Sequence, residues 1–115
     1  MANDYHEPAQ EMSEKARDII RMMNSFKEEI EAVDWYHQRC ELTSDPEAKE
    51  IMWHNAVEEM EHAMMCLEWL RRNQDGWDGQ MRKYLFTSKP IMELEEGEED
   101  QEAEDPKDGL GIGQL

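Results

Sequence analysis

The sequence predicts an all-α fold: an antiparallel two-helix hairpin with a short C-terminal helix, completed to a four-helix bundle by pairing with a second copy. Three observations carry this. Two long stretches repeat apolar residues at alternating steps of three and four, the spacing of a helix seam. One compact break, Leu42-Thr43-Ser44-Asp45-Pro46-Glu47, separates them, and so short a connection makes the helices antiparallel neighbours. A hairpin of this size buries too little surface to be comfortable alone.

Residues 1 to 12 are polar and are expected to be a flexible N-terminus, with Pro8 or Ser13 opening the first helix. From about Glu14 to Glu41 the seam runs Met22, Phe26, Glu29, Val33, Tyr36, Cys40. The apolar members are core candidates. Glu29 is not, because an ionised carboxylate in an apolar seam costs several kcal/mol unless something pairs with it. At the break Asp45 suits the cap of the second helix and Pro46 its first turn. That helix is expected to reach about Asn73, with the seam Met52, Asn55, Glu59, His62, Cys66, Trp69. Trp77 to Phe86 gives a short third helix or turn whose apolar residues should pack on the hairpin or a neighbouring subunit. Residues 13 to 92 thus form the helical half-bundle, and residues 93 to 108 an acidic linker expected to be disordered. The closing Gly109-Leu110-Gly111-Ile112-Gly113-Gln114-Leu115 has the make-up of a docking peptide, with Leu110, Ile112 and Leu115 as its pocket-filling residues.

The net charge is -17, of which residues 93 to 108 hold -9. Such a chain is a poor partner for nucleic acid and a better one for cations. No apolar run approaches the length of about 20 residues needed to span a membrane, and no signal-like start is evident, so a cytoplasmic location without membrane contact is expected. Cys40 and Cys66 lie at different distances from the turn on opposite arms, beyond disulfide reach, and are expected to be reduced core thiols.

Chemistry enters through the seams. Glu59 and His62 stand three apart, side by side on one helix face. Glu29 and Glu59 are each fifteen residues from Ser44, so in an antiparallel hairpin they lie at one height, about 22 Å from the turn at about 1.5 Å per residue. A lone glutamate facing a Glu-x-x-His pair is half of a carboxylate-bridged two-metal site; a two-fold axis would supply the other half. Two carboxylates and one imidazole suit iron or manganese, and zinc less specifically. In a full site Glu59 would bridge two metals, His62 cap one and Glu29 add an oxygen, leaving open positions at which ferrous iron would become ferric. Two rivals share these features: a non-catalytic helical dimer acting as a scaffold, with no metal dependence, and a divalent-metal binding module with no turnover.

The blocks Glu28-Glu29-Ile30-Glu31-Ala32-Val33-Asp34-Trp35-Tyr36, His54-Asn55, Glu58-Glu59-x-Glu61-His62-Ala63, Leu67-Glu68-Trp69-Leu70-Arg71-Arg72-Asn73 and Tyr84-Leu85-Phe86-Thr87 closely resemble the encapsulated ferritins. The resemblance covers about residues 6 to 92. It resumes at 109 to 115, which is similar to the peptide that loads cargo into encapsulin shells. It implies a ferritin-like half-bundle and a ferroxidase whose ligands Glu29, Glu59 and His62 are completed across a dimer interface. It further implies Tyr36 near the iron centre, and Glu28, Glu31 and Trp35 as an outer entry site. Iron is the metal implied, with manganese, zinc or calcium as other candidate cations. The implied assembly is a homo-oligomer, a ring of five dimers, inside an encapsulin nanocompartment to which ferric iron is passed for storage. The chain departs from the pattern in Met60, Met64 and Met65 and in its acidic linker, and neither touches the ligands.

Overall fold

A computed structural model describes residues 5–97, and these are helical with no strand among them. A short 3-10 turn, Ala9–Glu11, precedes α1 (Glu14–Leu42) and α2 (Pro46–Asn73), followed by α3 (Trp77–Tyr84) and α4 (Ile91–Glu96). None of the described helices is long and apolar enough to cross a membrane.

Ser13 opens α1: its hydroxyl accepts the Ala16 amide at 3.0 Å, satisfying one of the orphan donors of the first turn. Pro8 instead precedes the 3-10 turn, which Arg17 ties to α1 by donating to the Ala9 carbonyl at 3.0 Å. At the break Asp45 Oδ1 accepts the Glu47 amide at 3.1 Å, so the expected cap and the expected proline start are both present.

The chain divides into two compact units, Met1–Trp69 and Leu70–Leu115. In the first, α1 and α2 run antiparallel, as two contacts show. Near the turn the Cys40 thiol donates to the Lys49 carbonyl at 3.8 Å. Farther up, Glu29 meets His62. Both predicted seams face inward: every member is half-buried or buried. The tightest positions are nevertheless Ala56 and Ala63, each 1% exposed. Small side chains seven apart let two helix backbones approach closely. Cys40 and Cys66 are buried, free thiols, as expected.

The second unit holds a departure from the expected apolar packing. Asp78 is among its most buried side chains, held by the Arg71 guanidinium at 2.6 Å and by Arg82 Nε at 2.8 Å. Burial alone would raise the Asp78 pKa, but the hydrogen bonds from Arg82 and Arg71 outweigh it and leave the carboxyl below its ordinary value. The chain reaches α3 through Gly76 at φ 110, a conformation for which glycine carries no steric cost. Phe86 stands in the left-handed region at φ 60 with its ring fully in solvent, and Leu85 is exposed too, so neither packs as expected within this chain. Residues 93–96, expected as the start of the linker, form the end of α4, where Leu94 is buried. Pro90 supplies its start and one apolar anchor its contact, too little periodicity to stand out from the acidic composition. The rest of that segment and the closing peptide with Leu110, Ile112 and Leu115 lie outside the described residues.

Candidate metal centre

Glu29 of α1 and Glu59 and His62 of α2 converge, and their ligand atoms all lie within 4.8 Å of one another. This is the set of three that the matched heights and the three-residue step predict. His62 Nδ1 lies 3.1 Å from Glu59 Oε1 and 3.6 Å from Glu29 Oε1. All three are half-buried, with both glutamate side chains 27% exposed and the imidazole 45%. The site therefore opens at the surface of the hairpin.

The protons are distributed unevenly. A hydrogen bond shared with Glu59 holds the Glu29 carboxyl above its usual range, with burial and the Glu59 charge adding to it. The same bond, and one from His62, holds Glu59 below its range. Of the two carboxyls, Glu29 is thus the one that keeps a proton to higher pH. Hydrogen bonding to Glu59, with the charges of Glu29 and Glu59 behind it, raises the His62 pKa despite partial desolvation.

The donor set fits a small divalent ion. Ligand atoms about 2.0–2.2 Å from a metal of zinc size lie no more than about 4.4 Å apart, so a spread within 4.8 Å needs adjustments of only tenths of an ångström. Three protein donors, one atom each, would leave half of an octahedral shell open. The chain alone is half of a two-metal carboxylate site in its ligand count.

The other predicted residues stand apart from this cluster. Tyr36 is half-buried two helical turns on from Glu29, with the Arg39 guanidinium 5.2 Å from its ring centroid. Glu28, Glu31 and Trp35 are exposed on α1. Trp35 lines an open groove of about 350 Å³ with Gln38 and Arg39. Cys66, one turn after His62, was expected only as core; burial, with the Glu29 charge, pushes its thiol pKa up. The close burial of Ala56 and Ala63 was not foreseen, although their spacing of seven was visible. Nor was the Arg71–Asp78–Arg82 cluster, for which the four-residue step from Asp78 to Arg82 was the available signal.

Comparison with known proteins points to one family. Residues 4–88 match the family model described as EncFtn-like. A ferritin-like protein of Thermotoga maritima is 56% identical over 115 residues, covering all of both chains. An encapsulated ferritin-like protein of Rhodospirillum rubrum is 48% identical over 94 residues, 82% of this chain and 67% of that protein. A crystal structure of a protein from Nitrosomonas europaea superposes with a TM-score of 0.73 at 49% identity, covering 77% of this chain and 98% of that one.

Proposed function

Because the chain belongs to the encapsulated ferritin-like family, with an iron-related function, we propose that it is a ferroxidase: it oxidises ferrous to ferric iron at a di-iron site formed between two copies. The observation that supports this best is the convergence of Glu29, Glu59 and His62 at the open edge of the hairpin. Ferrous ion is the substrate, and at such a site it gives one electron to an oxidant and leaves as ferric ion. In this reading Glu59 would bridge two ions, His62 would cap one and Glu29 would add an oxygen. To ligate, Glu29 and His62 must release the protons that their raised pKa values retain.

In this reading Glu28, Glu31 and Trp35 form an outer site that collects cations, since exposed carboxylates attract them over about a Debye length of 8 to 10 Å. Tyr36 lies beside the iron centre, and the copies assemble as a ring of five dimers. Leu110, Ile112 and Leu115 hold the protein in an encapsulin shell, where the ferric product is stored. The scaffold reading has one observation of its own: the three polar side chains already satisfy one another by hydrogen bonds. Oxidation of added ferrous iron by the purified protein, followed by ferric absorbance, separates the two. Turnover that disappears in Glu59→Ala is expected; no turnover in the parent, or undiminished turnover in the variant, overturns the proposal.

A further inference from the structure

His62 engages the cluster through one ring nitrogen and leaves the other without an acceptor. Nδ1 lies toward the carboxylates of Glu59 and Glu29, and Nε2 meets no partner among the described residues. A metal-bound imidazole donates its second N–H to a carboxylate, a carbonyl or water, which fixes the ring. The side of α2 that carries His62 holds a candidate. Ile51, Asn55, Glu58, His62, Met65 and Trp69 follow one another at steps of four, three, four, three and four, and at about 100° per residue all lie within about 60° of His62. Ile51, Glu58 and Met65 are between 55% and 58% exposed, so this stripe is uncovered in the single hairpin.

The stripe has the same spacing in both directions about Met60. Two α2 helices related by a two-fold axis at that height, and running antiparallel, set Ile51 against Trp69, Asn55 against Met65 and Glu58 against His62. A parallel pair would set Glu58 against Glu58 and His62 against His62, like groups facing like. The antiparallel axis also leaves the two Glu59 residues two steps apart in height, about 3 Å, close enough to share a pair of ions. We propose that Glu58 is a positioning residue acting in trans: its carboxylate accepts a hydrogen bond from His62 Nε2 of the second copy and holds that imidazole against the ion. His54 Nε2 lies 3.2 Å from Glu58 Oε2, which tethers the carboxylate and leaves Oε1 for the neighbour. Each copy then orients the other's ligand, so a single hairpin lacks both half of the ligands and the acceptor for its own histidine. The proposal rests on the reading of a metal site shared by two copies.

Its test titrates the full chain with cobalt, followed by the visible ligand-field bands, with native mass and circular dichroism alongside. Glu58→Leu should bind cobalt about 10- to 100-fold more weakly and shift the bands, while helical content and the mass at saturating cobalt stay those of the parent. Glu58→Gln keeps an acceptor oxygen and should hold affinity within about threefold of the parent, with the parent's bands. Glu61→Gln removes an equal charge about one turn away and should change affinity by no more than about threefold. Asn55→Cys combined with Met65→Cys should give covalent dimers in air, since these positions are about 15 Å apart within one helix and only a second copy can bridge them. Parent affinity and bands in Glu58→Leu, a lower mass for it at saturating cobalt, an equal loss in Glu58→Gln or Glu61→Gln, or no covalent dimer would overturn the proposal. A parent that binds no cobalt would sink it together with the shared site. A parent that shows the Glu58 effect without oxidising ferrous iron would sink the ferroxidase reading and leave Glu58 in this role.

Discussion

Glu29 and His62, crowded against Glu59, both hold a proton to higher pH than they ordinarily would. Because Glu29 and His62 hold theirs to higher pH than usual, a metal must displace them, and its affinity should rise with pH until both are deprotonated. Cobalt or ferrous binding titrated across the acid-to-neutral range, with proton release followed by an indicator dye, is expected to show this slope; pH-independent affinity would contradict the proton-sharing geometry. On the ferroxidase reading, replacing His62 by Ala would remove one ligand from each half of a shared site. Activity should drop by more than the roughly 10- to 100-fold usual for disturbing an outer partner of a metal ligand, while circular dichroism stays helical.

At the scale of the element, α1 depends on a cap that touches neither ligand nor seam. Ser13→Ala should cost about 1 kcal/mol of stability, read as a lower midpoint in thermal or urea unfolding, with ferrous oxidation unchanged below the transition. Such caps, and the Asp45-Pro46 start, were legible in the sequence because their chemistry is local. So was the site: alternating steps of three and four placed Glu29, Glu59 and His62 on inward stripes, and the compact turn set the heights. The Asp78 cluster was not legible, because a carboxylate becomes a core residue there only when Arg71, beyond a left-handed Gly76, reaches it from another helix. Leu85 and Phe86 carried an apolar signal that says nothing about whether the covering surface belongs to this chain.

For the whole molecule, charge sets the conditions of assembly. A chain of net charge -17 repels its copies, and two half-sites brought together without metal place up to four carboxylates in one seam. Ferrous or similar divalent ions should therefore promote association, stabilising the assembled form by about 2.7 kcal/mol once free metal reaches a hundred times its dissociation constant. Sedimentation with and without metal, at low salt and at 0.15 M, should show the largest metal effect at low salt, where screening is weakest. Sedimentation that ignores both metal and salt would mean that neither carboxylate repulsion nor its neutralisation governs assembly.

Ala56 and Ala63 bracket the two candidate ligands of α2 and are each only 1% exposed. We expect them to act as a gauge block, with the distance between Glu29 and the Glu59–His62 pair following how closely α1 can approach two small side chains. Cation choice then belongs partly to residues with no donor atom. Widening the gauge with Ala63→Val should shift preference from small ions such as zinc or ferrous iron toward larger ones such as calcium, leaving the ligand list intact.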